Sequence, residues 1–186
     1  MEFQVVKGAR TEGAAIITLE QAKANSKIDY DYEDALLQMY VDAIVDEFEG
    51  YTGSVILERE VSLYGSQWPT AKLVTGISPV QHISAVKYMD VDGVEQTLPT
   101  ANYTVLKYDS GNGPKIVFNG ELPEVEDDND EAIEIQLVAG YATADMPSDI
   151  KKAALLSFSA VETFREDMPI KYNRTIYAVL QPYKKY

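Results

Sequence analysis

The chain has 186 residues, of which 46% are hydrophobic, and this is enough for one packed domain with or without an extension. It contains no cysteine and one histidine, His82, which excludes disulfides, thiol catalysis and a zinc site. Its formal net charge of −14 disfavours binding to the phosphate backbone of nucleic acids, and no apolar stretch approaches the ~20 residues that would cross a bilayer.

The first predicted elements are a strand and a short helix. Residues 3–6 alternate weakly between apolar and polar side chains, which predicts a short strand. Thr18 and Gln21 have the spacing of a capping box, so a helix over residues 19–26 is expected to follow. The first residues lack the basic start and the apolar run of a signal peptide, and we therefore expect synthesis in the cytoplasm.

A second, longer helix is predicted over residues 32–49. Its apolar residues recur every three or four positions and form one stripe, while Asp42, Asp46 and Glu49 lie on the opposite face. Acidic residues fill its first turn, where the helix dipole favours them, and Gly53 follows its end. The stripe consists of Leu36, Leu37, Tyr40, Val41, Ile44, Val45 and Phe48.

From residue 55 the hydrophobic period changes to two, which predicts strands. The expected strands are residues 56–63, 71–74, 83–89, 103–108, 115–118 and 133–138. Asp92-Gly93 and the segment 111–114 have the composition of tight turns, and the acidic segment 124–131 is expected to be an exposed loop. Short strands joined by turns favour an antiparallel sheet.

The last long helix is predicted over residues 148–165, because Pro147 suits a helix start and one apolar stripe follows. The elements together predict an α+β fold in which N- and C-terminal helices pack together with an inserted antiparallel β-sheet. The predicted division is a single α+β domain and a tail with a short helix. The domain covers residues 1–167, with an N-terminal strand and extension over 1–15 and the β insertion over 55–140, and the tail covers 168–186.

The tail is basic and rich in tyrosine. Its short apolar pattern of Ile176, Val179 and Leu180 is too small for a core of its own and too regular for a linker. Cations between tyrosines suit an interface with an acidic partner, so we predict that the tail docks on a partner and orders fully only then. The candidate interface residues are Lys171, Tyr172, Arg174, Tyr177, Leu180, Tyr183 and Lys184. The alternative is that the tail folds back on its own domain.

Acidic and basic residues are unevenly distributed along the chain, and the C-terminal region is the basic part. No base lies between Lys27 and Arg59 or between Lys115 and Lys151, whereas residues 151–186 carry seven bases against three acids. The acidic second helix and the basic C-terminal region could be complementary faces of neighbouring copies, or else solvated surfaces.

Three segments have a superficial likeness to reactive or ligand-binding sites. His82 has no Gly-x-Ser-x-Gly elbow to accompany it, so a surface or strand-edge histidine is the default interpretation. The segment 90–95 is similar to part of a calcium loop, but Pro99 stands where the bidentate glutamate would be. The segment 111–115 lacks the spacing of a phosphate loop. We therefore predict no catalytic residue, cofactor or metal, and a protein of assembly rather than an enzyme.

Four segments in this order carry a family resemblance. They are Ile17 to Lys23, Asp34 to Gly53 with its Glu49-Gly50-Tyr51 turn, Ile77 to Gly93 with Ser78-Pro79 and Asp92-Gly93, and Ala139 to Glu166 with Ala139-Gly140-Tyr141 and Pro147. In sequence, the chain resembles the head–tail connector (adaptor) proteins of tailed phages and prophages, which are also described as DNA-packaging proteins. Residues 1–15 depart from the family pattern as an added strand and linker, and Asn25-Ser26 shortens the opening helix.

The resemblance implies a structural protein that forms a ring of about a dozen copies. The ring would join the portal protein of the capsid to the tail or head-closure protein and let DNA pass through its channel, without sequence-specific nucleic-acid contacts and without a membrane. It implies assembly in the bacterial cytoplasm and a final place at the head–tail junction of the virion. The alternative is another tail-completion or adhesin-like binding module without catalytic activity.

Overall fold

Two segments that are far apart in sequence build one helical unit, and the strands between them build a second unit. The computed structural model describes residues 3–11, 14–70, 72–106, 113–164 and 170–185, with the backbone alone for 170–173. The strand unit comprises Met1–Thr11 and Glu58–Gly140, and the helical unit comprises Glu12–Leu57 and Tyr141–Tyr186. This division differs from the expected one, because the strands pack on each other and the tail packs with the helices.

The strand unit contains eight described strands in two antiparallel sheets. They are β1 (Gln4–Arg10), β2 (Arg59–Gly65), β3 (Lys72–Val74), β4 (Val80–Met89), β5 (Glu95–Thr97), β6 (Tyr103–Leu106), β7 (Lys115–Phe118) and β8 (Ile133–Ala139). One sheet has the order β1-β2-β8-β4-β5 and the other β3-β7-β6. The α+β class and the antiparallel pairing are confirmed, with two sheets where one was expected. Parts of four expected features lie outside the described residues, namely residue 71 of the strand 71–74, residues 107–108 of the strand 103–108, residues 111–112 of the turn 111–114 and residue 165 of the last helix.

The strand β8 lies at the centre of the larger sheet. Its alternate residues, from Ile133 through Ile135 and Leu137 to Ala139, are buried. On the neighbouring strand β2, Leu63 pairs with Ile135 and Val61 with Leu137, so apolar side chains of two strands meet on the same face. The period of two in the sequence therefore places one face of this sheet in the core.

The turn predicted at Asp92-Gly93 joins β4 to β5. Asp90 Oδ1 accepts the backbone N–H groups of Asp92 at 3.1 Å and of Val94 at 3.0 Å, and Gly93 has a φ of 73°. The hydrogen bond from Val94 and the amide of Gln96 hold the pKa of Asp90 below its usual value. The carboxylate of Asp90 is thus occupied by its own turn, which supports the hairpin interpretation over a calcium loop.

The helical unit contains α1 (Leu19–Ser26), α2 (Asp34–Thr52), α3 (Ser148–Thr163) and α4 (Ile170–Leu180). The capping box of α1 is confirmed. The N–H of Gln21 donates to Thr18 Oγ1 at 3.2 Å, and the N–H of Thr18 donates to Gln21 Oε1 at 3.0 Å. The expected second helix begins two residues later and ends three residues later than predicted. No helix in the described part of the chain is long and apolar enough to span a bilayer.

The apolar stripes of α2 and α3 share one core. Phe48 of α2 and Phe158 of α3 are both completely buried in it, as the stripes predicted. Ala153 and Ala154 of α3 are also buried, and their small side chains let the helices approach closely. Each buried phenylalanine stabilises the fold by about 1.5–3 kcal/mol relative to an exposed one.

The chain leaves the helical unit and returns to it at one point. The N–H of Tyr141 donates to the carbonyl oxygen of Ile56 at 2.8 Å, and Leu57 forms a parallel bridge with Tyr141. The N–H of Ile56 donates to Glu49 Oε1 at 2.9 Å, so a side chain of α2 also holds this crossing. The two segments of the helical unit are therefore joined next to the place where the strand unit is inserted.

Two glycines of the strand unit provide a test of backbone geometry. Gly113 and Gly120 have φ angles of 79° and 73°, but a Cβ at Gly113 would overlap the carbonyl oxygen of Ile77 and the hydroxyl of Thr75, whereas one at Gly120 meets nothing within 4 Å. We expect Gly120→Ala to cost about 1–2 kcal/mol of backbone strain. Gly113→Ala should cost about 1–3 kcal/mol more through overpacking. Urea unfolding measures both, and equal losses would contradict this explanation.

Candidate assembly interface

The C-terminal tail packs against its own helical unit. Ile176 and Leu180 lie four residues apart on α4 and are 1% and 0% exposed, in the same core as Phe48 and Phe158. The helix α4 packs chiefly against α3 and also touches α2. Four residues separate the two buried side chains, so they form one face of a helix that is docked rather than free.

Tyr177 of α4 contacts two residues of α2. Its ring stacks on that of Tyr51, with centroids 4.3 Å apart, and its hydroxyl donates to Glu47 Oε1 at 3.0 Å. Burial, followed by the hydrogen bond to Glu47, raises the pKa of Tyr177. Tyr51 and Glu47 are four residues apart on α2, so one face of this helix supplies both partners.

The last residues of the tail are held at the C-terminal end of α2. The hydroxyl of Tyr51 donates to Gln181 Oε1 at 2.8 Å, and Lys184 Nζ lies 4.8 Å from the centroid of the Tyr51 ring. Ser54 Oγ donates to the carbonyl oxygen of Tyr183 at 2.8 Å, and the N–H of Lys185 donates to the carbonyl oxygen of Thr52 at 2.8 Å. Burial, with a smaller effect of Asp149, raises the pKa of Tyr183.

Four of the seven predicted interface residues are therefore engaged within the helical unit. Leu180 is buried, and Tyr177, Tyr183 and Lys184 are half-buried. Of the two arrangements that the sequence left open, the structure contains the one in which the tail folds back. This arrangement corrects the expectation that the tail orders only on a partner, because its apolar face already has a complementary surface on α2 and α3.

The other three predicted residues lie near the start of α4. Arg174 is exposed, and Lys171 and Tyr172 belong to the helical backbone, with side chains outside the described residues. A contact of this tail with another protein stays a prediction. The sequence analysis did not identify Tyr51 and Glu47 as contacts of the tail. Their spacing of four residues on α2 places both side chains on one face of the helix, and this was the available signal.

Of the three segments considered for chemistry, 111–115 lies partly outside the described residues, and the other two belong to strands and turns of the strand unit. His82 lies exposed on β4, where its backbone pairs with Val138 of β8. Trp68 Nε1 donates to the carbonyl oxygen of Pro123, beside a groove of about 600 Å³ that the acidic loop also lines. No group of three potential metal ligands is formed among the residues that the structure describes.

Glu134 of β8 is the centre of a polar cluster in the strand unit. Its Oε1 atom accepts hydrogen bonds from Ser62 at 2.7 Å, from Tyr64 at 3.0 Å and from Gln136 at 3.0 Å. Partial burial by itself raises the pKa of Glu134, but these three donors and the positive charge of Lys87 outweigh it and lower the pKa. The carboxylate is thus held in its charged form, as a structural acceptor rather than as an acid that could donate a proton.

Residues 16–88 match the model of one protein family, described as phage gp6-like head–tail connector proteins. The matched segment runs from the residues before α1 through α2 and most of β4. No curated protein matches the chain.

Three solved structures have the same fold along almost the whole chain. They are the neck of an empty GTA particle computed with C6 symmetry, the virion of a native gene transfer agent (GTA) particle, and the neck of a native GTA particle computed with C12 symmetry. The TM-scores are 0.77, 0.78 and 0.73, and the sequence identities are 21%, 20% and 20%. Each alignment covers 98% of this chain and 96% of the other.

The docking of the tail can be measured by substitution in α4. We expect Leu180→Ala to lower the free energy of unfolding by about 2–5 kcal/mol, because it leaves a cavity in the core. The matched control is Arg174→Ala on the exposed side of the same helix, which should change stability by less than about 0.5 kcal/mol. Thermal and urea unfolding of the full chain report both values. A neutral Leu180→Ala would show that the tail is not part of the core in solution.

The polar cluster predicts a pH dependence. Because the folded pKa of Glu134 lies below its ordinary value of 4.5, its contribution is complete above pH 4.5 and is lost as the pH falls through the lowered value. We expect Glu134→Gln to be less stable than the wild type at pH 7, with a difference that shrinks as the solution is acidified below the ordinary pKa. Glu60→Gln, at an exposed position on β2, is the control. A difference that is independent of pH would exclude the charged carboxylate as the cause.

Proposed function

We propose that this chain, whose residues 16–88 match the gp6-like head–tail connector family, is a structural component of the neck of a phage-like particle. In this role, copies of the chain form a ring that joins head to tail and lets DNA pass. One observation carries the proposal. The same chain matches the model of a connector family and has the fold of chains found in the GTA neck and virion structures. The family match covers α1 and α2 of the helical unit and the strands β2, β3 and most of β4, and the likeness of fold covers 98% of the chain.

The oligomeric state proposed here is a cyclic ring. Two of the similar structures are necks computed with C6 and C12 symmetry, which supports a ring of about twelve copies for this chain. Cyclic symmetry requires two different surfaces on each copy, and in the helical unit the acids of α2 contrast with α4, whose sequence contains bases and no acid. This difference in charge between helices supports a head-to-tail arrangement of the copies.

The overall acidity of the chain suits a protein beside moving DNA. A net charge of −14 repels the phosphate backbone, so a ring of such copies would not hold DNA during its passage. The exposed acids of the loop after β7 and of α2 add to this repulsion locally. Contact with the nucleic acid is then transient and independent of its sequence.

The proposed partners are the portal protein on the head side and a tail or head-closure protein on the other side. The chain acts through these contacts rather than through catalysis, and it assembles in the bacterial cytoplasm before it becomes part of the particle. The tail contributes indirectly, since its apolar face stabilises the helical unit and its exposed side, at Arg174, stays available for a contact.

Mixing the full-length chain with the portal protein of the same particle tests the function. We expect native mass spectrometry to show one portal ring carrying about twelve copies of the chain, because a connector ring follows the symmetry of its neighbour. His82→Ala, at an exposed position away from any proposed contact, should bind equally well. If the chain binds neither the portal protein nor a tail-side protein of the particle, the connector role is wrong.

A further inference from the structure

One face of the three-stranded sheet is open to solvent. Leu73 of β3 pairs with Ile116 of β7, and Ile116 pairs with Val105 of β6, so these side chains share one face. Ile116 is buried, and Phe118 on the same face packs against the ring of Trp68. The alternate residues form the opposite face, on which the four residues of the two edge strands are exposed. We call this the outer face; it consists of Lys72, Val74, Thr104, Leu106, Lys115 and Val117.

The register of the strands places apolar and basic side chains next to each other on the outer face. Lys115 lies between Val74 and Leu106, and Val117 pairs with Lys72 on one side. Val74 is 40% exposed and Leu106 is 46% exposed, whereas the solvated face of an antiparallel sheet ordinarily carries polar residues. Exposed aliphatic side chains grouped within a charged border indicate a contact surface for another macromolecule.

The outer face is positively charged in an acidic protein. The strands β3, β7 and β6 contain two lysines and no acid, and the connecting residues 107–114 add one base and one acid in sequence. Within the described ranges, neither Lys72 nor Lys115 forms an ion pair. Because the chain has a net charge of −14, the charge of this face is opposite to that of the chain as a whole.

A surface of the complementary kind surrounds the turn between β4 and β5. The turn residues Val91 and Val94 are both more than half exposed. The acidic loop 124–131 adjoins them, because the N–H of Glu126 donates to the carbonyl oxygen of Met89 at 3.0 Å and Val91 lines the groove beside this loop. We call this the hairpin–loop surface; it consists of the exposed residues Val91, Asp92, Val94, Glu124, Asp127 and Asp128.

The negative charge of the hairpin–loop surface is not neutralised by its neighbours. Residues 119–131 contain seven acids and no base. The hairpin of β4 and β5 contributes one lysine, Lys87, whose Nζ lies 3.1 Å from Glu95 Oε1. In the part of the chain that the structure describes, no base pairs with the acids of the loop.

We infer that the outer face of one copy binds the hairpin–loop surface of the next copy around the ring. The inference rests on the proposed connector function and assigns one contact of its ring to the strand unit. Both surfaces belong to this unit and share no residue, so each copy offers one of each kind, as a heterologous interface requires. In this contact the lysines meet the acids of the loop, and Val74 and Leu106 meet the valines of the turn.

Charge and apolar content together select this occupant of the outer face. Two outer faces placed together would oppose lysines to lysines, and two hairpin–loop surfaces would oppose acids to acids, and such like-charge contacts are costly. Duplex DNA would pair its phosphates with the lysines but would offer no apolar surface of matching size to Val74 and Leu106. The exposed valines of the turn supply that apolar surface.

The small size of the outer face determines how the contact forms. Adjacent strands lie about 4.8 Å apart and successive residues about 3.3 Å apart, so the face measures about 10 Å in each direction. A stable pair of proteins buries about 800 Å² on each partner, which is more than this face provides. We therefore expect the contact to hold in a ring, where the portal protein gathers the copies and each copy makes the contact twice.

Reversal of charge on each side tests the pairing. The first variant carries Lys72→Glu and Lys115→Glu, and the second carries Glu124→Lys and Asp127→Lys. A chain with all four substitutions has the wild-type net charge, so it separates the pairing from the overall charge. Thermal unfolding confirms that each variant is folded.

Each variant has a matched control with the same change in charge. Lys7→Glu with Lys152→Glu matches the first variant, and Asp29→Lys with Glu60→Lys matches the second. All four control positions are exposed and lie outside both surfaces. The controls should assemble like the wild type.

Native mass spectrometry with the portal protein present measures ring formation by the full chain. We expect each of the two reversed variants to assemble at least about tenfold more weakly than the wild type. The chain with four substitutions and an equimolar mixture of the two variants should both assemble again, since each restores opposite charges across the contact.

Two further measurements test the apolar part and the location of the contact. Val74→Ser with Leu106→Ser leaves the charge unchanged and should also weaken assembly. The chain has no cysteine, so Leu106→Cys and Val91→Cys each introduce a unique thiol, one on each surface. A short bismaleimide crosslinker, added to a mixture of these two variants on the portal protein, should give the mixed dimer in excess over both symmetric dimers.

The outcomes separate the inference from the function on which it rests. Rings that resist the charge reversals, controls that lose assembly equally, or symmetric crosslinked dimers in excess would overturn the inference and leave the connector role intact. Binding of duplex DNA that is lost in the first variant while its rings are unchanged would assign the outer face to DNA and also overturn the inference. A wild-type chain that forms no ring with the portal protein would overturn both.

Discussion

Phe48 of α2 and Phe158 of α3 are buried in one core although the whole strand unit lies between them in sequence. Each of these helices has a single apolar stripe that its sequence neighbours cannot cover, and the two stripes cover each other. Because the two stripes are buried together, the chain must return to the helical unit after the strands. The hydrogen bond from Tyr141 to Ile56 marks the point of return. The closure of the helical unit and the place of the tail depend on this long-range contact.

The position of the tail follows from the same core. Ile176 and Leu180 extend the apolar contact of α3, and the stack of Tyr177 on Tyr51 adds a link to α2. Residues that would be anchors at a protein interface are therefore used inside the chain. The apolar contacts of the tail within the chain therefore offset the conformational entropy that is lost when the tail is ordered.

Charge has two uses in the connector that we propose. Spread over the whole molecule, the net charge of −14 keeps phosphate away. Within the helical unit, acids lie on α2 and bases without acids on α4, and the proposed ring would use this difference between helices. The two uses are compatible because screening limits the second to a few ångströms, whereas the first adds over many copies.

Local patterns in the sequence determined the elements of this protein, and long-range contacts decided their partners. The capping box of Thr18 and Gln21 and the alternation in β8 were readable because the interactions that cause them span a few residues. The strand β5 was not, since Glu95–Thr97 contains no apolar residue and is held by backbone pairing to β4. The order of the strands, with the last one between β2 and β4, was also invisible. The tail shows the limit most clearly. Its apolar pattern predicts that one face of the helix is buried. Only the apolar surface of α2 and α3 decides where it is buried, because the hydrophobic effect is non-directional and the pattern does not specify which residues cover it.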